Sequence, residues 1–454
     1  MRKLSLFFAA LTLSVGLWAQ ETQMVSYDYP VYINDDATKG IKEWKTNSVE
    51  ATVVENATDA VTWNAGWYVV TGTDVTLSKG AVCNGAVHLI VYDGAKLTAT
   101  GADNKPGIEI SGEGNSLTIY GYTNQSGQLI AKGGSGGAGI GGGYEGNGSN
   151  ITINGGTITA NGVNVAAGIG GGCKGSGSNI TINGGEVIAT GSNAAGIGGG
   201  SEGSGSYITI NGGTVTATGS NGAGIGGGSG GYGSNITING GTVTATSNNG
   251  AGIGGGDEGS GSYITINGGT VEATGDFCAA GIGGGSSGQG SNITISGGTV
   301  TANGGEYAAG IGGGYKGSGS NIIINGGKVI TESAEGAAIG GGYNGESSNI
   351  FVASSVLLMA GSSSSNRIEV PHFTGYDMAT ILKDKRYVML EEGKATAYVE
   401  GYNAGKAEGI EEGKAEALGG MGGPCEDCPA VDVTKGTTTI RLYSPEKVEF
   451  RKME

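Results

Sequence analysis

Apolar and polar positions alternate with a period of two along most of this chain. Between Gly233 and Gly256, Ile236-Thr237-Ile238 points its isoleucines one way and its threonine the other, and Thr242-Val243-Thr244-Ala245-Thr246 repeats the device with valine and alanine together. β-Branched residues at that period predict strands, and nothing in this region repeats at a helical period. An Asn-Gly-Gly step joins the two runs. Both residue types accept left-handed backbone angles, so a sharp corner is expected there. A third piece, Ala-Gly-Ile-Gly-Gly-Gly, carries one large apolar side chain and little other bulk, which suits a thin wall where backbone approaches backbone.

The pattern recurs as a unit. Its central isoleucines fall at Ile140, Ile169, Ile197, Ile225, Ile253, Ile282, Ile311 and Ile339, always 28 or 29 residues apart. One such unit cannot offset its own ordering entropy, so copies must stack in order to fold. The expected fold is all-β, a right-handed parallel β-helix in the form of a three-sided β-solenoid with coils of about 28 residues. A hairpin meander would also use Asn-Gly turns, but three strands per unit with the same corner each time favour the solenoid. Stacking places Asn154, Asn183, Asn211, Asn239, Asn267 and Asn325 above one another, with Ser296 interrupting. At a strand spacing of about 4.8 Å their amides can form a hydrogen-bonded structural ladder. Irregular coils are read in Trp67 to Leu77, His88 to Gly101 and Asn115 to Gly121, and a last one in Asn349 to Met359.

The ends differ from this core. Residues 1–19 carry Arg2 and Lys3, an apolar run from Leu4 to Trp18 and a small residue before Gln20, the pattern of a secretory signal peptide. Export to the cell surface or medium is expected, with the periplasm as an alternative. Residues 20–62 lack the repeat and are expected to cap the open edge of a solenoid spanning 63–362, with 363–396 closing the other end. Over 397–418, Ala397, Gly401, Gly405, Gly409, Gly413 and Ala417 recur every four residues, a groove of small residues on a predicted helix. Each interior glycine there costs about 1 kcal/mol relative to alanine, so the segment serves either close helix pairing or a semi-flexible spacer. Residues 419–454 hold Cys425 and Cys428, candidates for a local disulfide because a lone Cys-x-x-Cys lacks the second pair of a structural zinc site. A small β module with strands at Thr438 to Tyr443 and Lys447 to Phe450 follows.

Composition narrows the partners. Glycine accounts for 99 of 454 residues, but six prolines and no Gly-X-Y register exclude collagen and a Pro-rich linker. Without Arg2 and Lys3 there remain 22 basic against 40 acidic residues, a net charge of −18 that disfavours nucleic acid and anionic membrane. No later apolar run approaches the roughly 20 residues needed to cross a bilayer, so the mature chain is not expected to span a membrane. Five cysteines, Cys83, Cys173 and Cys278 besides the C-terminal pair, are too few for a disulfide framework.

Polysaccharide cleavage needs clustered Arg and Lys or paired carboxylates. No arginine occurs between Lys3 and Asn366, His88 is the only histidine in that stretch, and the repeats hold two aspartates, Asp257 and Asp276, on different copies. No catalytic residue and no enzymatic activity are expected, and His88 is read as lying at a strand start. The slot two residues beyond each glycine triplet holds Glu145, Lys174, Glu202, Gly230, Glu258, Ser287, Lys316 and Asn344. Lysine in two of them argues against a repeated metal site, so no cofactor is expected; one calcium site near Asp257 and Glu258 is the candidate, set against the plainer reading of solvated charge. Thr157/Thr159, Thr214/Thr216, Thr242/Thr244 and Thr299/Thr301 form the kind of lattice ice binders use, but Glu186, Glu272 and Lys328 interrupt it. Tyr144, Tyr207, Tyr232, Tyr263, Tyr315 and Tyr343 lie near the loops as candidate stacking platforms for sugar rings, so a polysaccharide or other glycan is the expected ligand.

Over residues 63–360 the Gly-Ala-Gly-Ile-Gly-Gly-Gly and Ile-Thr-Ile-Asn-Gly-Gly-Thr-Val-Thr-Ala-Thr repeats resemble those of bacterial secreted and surface β-helix repeat proteins of the carbohydrate-binding type. More distantly they resemble a clostridial parallel β-helix that binds plant cell-wall polysaccharide. The Trp-Ala-Gln at the leader's end is similar to those of Bacteroidetes, and the 397–417 spacing is similar to small-residue repeats of a flagellar export stator family, where a helix is implied. The resemblance implies a non-catalytic adhesin or glycan-binding scaffold. The alternative is a structural spacer that docks to another envelope protein, or to itself, through Ala397–Ala417 and the C-terminal module.

Overall fold

The computed structural model describes residues 21–32, 41–122, 124–353, 356–369, 377–382 and 384–392, together with strands at 430–435, 438–443 and 447–452. Three strands form each central coil. In one coil Gly205–Ile210 contributes to a long face, Thr214–Thr218 to a threonine face and Ile225–Gly226 to a thin wall. Every strand pairs in parallel with its own copy on the next coil, Ile208 with Ile236, Val215 with Val243 and Ile225 with Ile253. The fold is therefore the expected all-β, parallel β-solenoid. Its interior is a set of side-chain columns: Ile208, Ile210, Val215, Ala217 and Ile225 are fully buried, while Thr214, Thr216 and Thr218 face outward.

Glycine builds the thin wall because the backbone leaves no room for anything else. Gly226 holds φ at +137°, and a Cβ placed on it would strike the carbonyl oxygen of Gly254 on the next coil. A Cβ on Gly228 would strike the carbonyl oxygen of Gly200 on the previous coil. Gly230, two residues later, is free of this constraint, with only the Cα of Glu202 nearby at 3.9 Å, although Gly231 again abuts the carbonyl oxygen of Gly203.

Amide ladders run along the corners. At the Asn-Gly-Gly corner the Nδ2 groups of Asn183, Asn211, Asn239 and Asn267 each donate to the Oδ1 one coil back, at 2.7, 2.8, 2.7 and 2.8 Å, beginning on Asn154. Ser296 ends this run, and Asn325 stands exposed beyond it. Two further ladders were not anticipated. Asn249 donates to Asn221 and Asn221 to Asn193 before the thin wall, and Asn179 donates to Asn150 at the start of the long face. The signal for them was the same 28-residue recurrence of asparagine, outside the Asn-Gly-Gly step.

The N-terminal segment covers the open edge with its last residues, Thr52 and Val53 pairing in parallel with Tyr68 and Val69 and Ala57 with Leu77, but most of it is placed elsewhere. Thr22–Tyr32 and Ile41–Val53 form an antiparallel hairpin that lies against the outside of the first coils, with Val25 and Ala51 packed on Val69, Ile90 and Tyr120. The cause is visible in the stacking. Val69, Ile90 and Tyr120 occupy outward positions that later become Asn154 and Asn183, so the first coils have an apolar outer surface that needs a cover. Trp63 and Tyr68, 5.5 Å apart, fill the interior of the first coil instead.

At the other end Ser347–Val352 continues the long face, but Val356–Ser363 does not stack on Lys328–Glu332 as the last coil was expected to do. Tyr387–Glu392 inserts between them, antiparallel to both. A parallel edge left open would template further chains, and the returning strand covers it. Asp377 finishes the long face, its carboxylate accepting from the N–H groups of Asn349, Ile350 and Ala379. Met378, just before the short helix Ala379–Leu382, and Leu382 at its end close the core. The C-terminal strands Ala430–Lys435, Thr438–Tyr443 and Lys447–Lys452 make an antiparallel sheet of their own, one strand more than predicted. The leader, the 397–418 helix and Cys425 and Cys428 lie outside the described residues.

Two stability measurements check this account. Gly228→Ala should lower stability by about 2–3 kcal/mol, because the neighbouring coil must be displaced, whereas Gly230→Ala on the same turn should cost about 1 kcal/mol, the strain of a left-handed alanine. Asn211→Ala leaves partners on both sides unpaired and should cost about 1–3 kcal/mol, more than Asn267→Ala at the exposed end of the ladder. Chemical denaturation of the four variants would show equal losses if the wall and ladder were incidental.

Candidate functional site

The six tyrosines singled out by sequence do not form one surface. Tyr144, Tyr315 and Tyr343 follow their glycine triplets and share one line, but six coils separate Tyr144 from Tyr315, about 29 Å at the usual strand spacing. Tyr315 and Tyr343 stack on each other at 6.4 Å and 7°, both edge-on to Tyr307 at 5.8 and 5.9 Å, with the Lys316 ammonium 4.8 Å above the Tyr315 ring. These rings pack against protein. Tyr207, Tyr232 and Tyr263 are different: they sit on three successive coils at the start of the long face, and among the described residues none meets another aromatic ring. Their exposures are 60, 60 and 59%.

Backbone geometry sharpens the contrast. Tyr207 and Tyr263 have φ of +54°, in a slot that elsewhere holds Asn150, Asn179, Asn235, Asn292, Asn321 and Asn349, all between +51° and +58°. Asparagine tolerates this conformation, whereas a bulky side chain there is strained by about 1 kcal/mol or more. The two tyrosines thus combine a strained backbone with a ring that gains little from packing. They flank Asn235 at two coil spacings, about 10 Å, with Tyr232 three residues upstream of it on the middle coil. Hydroxyl-bearing residues run in columns beside these rings, Ser206, Ser234 and Ser262 in one and Thr209, Thr237 and Thr265 in the next, Thr209 being itself buried. Phe277, also left-handed at +52° and 69% exposed, was missed by the sequence reading; it stands in a loop at the corner before the thin wall.

The other candidates resolve into structural roles. His88 lies late in the strand Ala81–Val91 rather than at its start, stacked on Trp67 at 4.3 Å and 3.3 Å from the Tyr120 hydroxyl through Nδ1. Burial lowers its pKa, and the imidazole sits under the hairpin, where Tyr27 meets Trp67 and Tyr120 at 4.5 and 4.7 Å. The slot after the glycine triplets, tested for calcium, proves to be a turn position with positive φ in every copy from Glu145 to Asn344. Backbone shape defines it, and the side chains vary accordingly. Burial and the adjacent Glu258 raise the Asp257 carboxyl, and among the described residues no group of three His, Cys, Asp or Glu could hold a metal. Cys83, Cys173 and Cys278 are free thiols, and burial pushes that of Cys83 up to about 12. The threonine face is broken not only by Glu186, Glu272 and Lys328 but also by Ile188 and Ile330.

A family model described as beta helix repeat matches seven segments, residues 151–173, 180–201, 208–229, 236–257, 264–286, 293–315 and 322–343. Each begins on the long face and ends just past the glycine triplet, so the matched unit is the coil itself. No curated protein and no solved structure matches the chain. Among the described residues no helix is long and apolar enough to cross a membrane.

Replacing Tyr207 or Tyr263 by asparagine relieves the backbone strain; at 207 it also extends the ladder that joins Asn150 to Asn179, and at 263 it places an amide between those of Asn235 and Asn292. Each change should raise stability by about 0.5–1 kcal/mol. A loss of stability in denaturation experiments would mean that the rings are packed for folding after all.

Proposed function

Taking as its premise that the chain is a parallel β-helix repeat protein, we propose that it is an exported, non-catalytic scaffold that binds polysaccharide or glycan across the Tyr207, Tyr232 and Tyr263 face. The observation that carries this reading is the pair of tyrosines kept in a left-handed slot with their rings exposed, at a cost that asparagine avoids on the neighbouring coils. An aromatic face with hydroxyl-bearing neighbours is the surface that stacks on a sugar ring while bonding its rim. The spacing brackets two successive rings of an extended chain lying along the stacking direction.

The long face supports glycan binding without chemistry. It offers serine and threonine hydroxyls and asparagine amides, none of which supplies a general acid or base near neutral pH. A second reading, a spacer that docks to an envelope partner, draws on the separate sheet formed by Ala430–Lys435, Thr438–Tyr443 and Lys447–Lys452.

Affinity electrophoresis through gels containing plant polysaccharides or mucin separates these readings. The native chain should be retarded by at least one neutral polymer, and Tyr207→Ser/Tyr232→Ser/Tyr263→Ser should weaken that retention by about tenfold or more. Removal of residues 419–454 should leave it unchanged. Retention that survives the triple substitution, or disappears with the C-terminal deletion, would discard the tyrosine face in favour of docking.

A further inference from the structure

A cleft of about 560 Å³ separates the N-terminal hairpin from the Asn-Gly-Gly corner. Asp28 and Glu43 line its hairpin side, and Gln125, Asn154, Asn183 and Asn211 line the solenoid side over a floor of corner glycines. The three asparagines are only 5, 2 and 9% exposed. Their ladder has a direction. Since every Nδ2 donates one coil back, Asn154 is left at the donor end of the ladder, where its Nδ2 has no acceptor among the described residues and Tyr120 occupies the position above it. Gln125 presents a second donor: its Oε1 accepts from the Gly156 N–H at 2.7 Å, which leaves Nε2 without a partner among the described residues. Opposite stand acceptors. Thr46 donates to Asp28 at 2.6 Å, and Lys45 lies 3.3 Å from Glu43, but each carboxylate retains further lone pairs.

The lining selects the ligand by exclusion. Amide donors lining the space oppose a metal cation, two carboxylates oppose an anion, and among the described residues no apolar side chain lines it to invite a hydrophobic group. What fits is a neutral group that accepts a hydrogen bond on one side and donates on the other, and a hydroxyl does both. We propose that the cleft beneath the hairpin is a second saccharide site, in which sugar hydroxyls accept from Asn154 and Gln125 and donate to Asp28 and Glu43. This inference shares the ligand class of the proposed function but not its residues. Tyr207 lies on the strand Gly205–Ile210 of the long face and Asn211 of the cleft directly follows it, so one extended chain could occupy both places.

Isothermal titration of the full exported chain tests it, with neutral hexasaccharides (β-1,4-glucan, β-1,4-xylan, β-1,4-mannan), a sialylated trisaccharide and calcium chloride as probes. Asp28→Asn/Glu43→Gln keeps the size of both side chains and an acceptor for Thr46. Gln125→Glu keeps the acceptor for Gly156 while removing the donor. Each variant should weaken a neutral hexasaccharide by about tenfold or more, the loss of a hydrogen bond to or from a charged or buried partner. Unchanged saccharide affinity in both variants would overturn the cleft, as would binding of calcium or the sialylated probe in place of neutral sugars, or no neutral saccharide binding at all. The triple tyrosine variant tells the two sites apart. If it alone loses binding, the cleft fails and the tyrosine face stands; if only the cleft variants lose binding, the tyrosine face fails and the cleft stands.

Discussion

Everything in this molecule depends on how closely one coil can approach the next at the thin wall. The wall strand is two residues long, Ile225–Gly226 in the coil used above, and its hydrogen bonds run only to the coils before and after. Glycine is required because each Cβ would occupy space already taken by a neighbouring carbonyl. Once that contact is fixed, identical residues must lie over one another on the other two faces. Isoleucine columns, asparagine ladders and hydroxyl columns are then consequences of a repeated sequence rather than separate designs. The same close contact isolates binding from folding: faces that point to water can change residue without altering the stack.

That separation is what makes the tyrosines informative. In most proteins an exposed aromatic residue needs no explanation, because scattered apolar groups are normal on surfaces. Here each position has several copies for comparison within one chain. Asparagine fills the left-handed slot at Asn150, Asn179, Asn235, Asn292, Asn321 and Asn349, and tyrosine fills it only at Tyr207 and Tyr263. The internal repeat serves as its own control, and the departure from it marks a surface shaped by something other than packing.

Much of the fold was legible in the sequence because its determinants are local and repeated. The alternation in Ile-Thr-Ile and Thr-Val-Thr-Ala-Thr gave the faces, and the period gave the stacking. The Asn-Gly-Gly ladder followed from both. What escaped the reading was non-repetitive. The hairpin's position depends on the outward apolar residues Val69, Ile90 and Tyr120, and the continuous apolar runs Tyr68-Val-Val and Leu89-Ile-Val-Tyr carried that signal, since strands covered on both faces lose their alternation. The inserted strand Tyr387–Glu392 had no comparable mark, because nothing local distinguishes a strand that returns antiparallel from one that stacks. Of the candidate residues, six tyrosines were named together, but only the coil register shows that three share a surface.

In-register stacking also gives the chain an unusual freedom of length. Because Gly205 lies over Gly233 and Gly233 over Gly261, excising 28 residues would join two surfaces that already match each other. Losing the coil of Tyr232 would bring Tyr207 and Tyr263 to adjacent levels and halve the distance between them. The ruler on which any ligand is measured can therefore be recut in whole-coil steps, with the fold left intact.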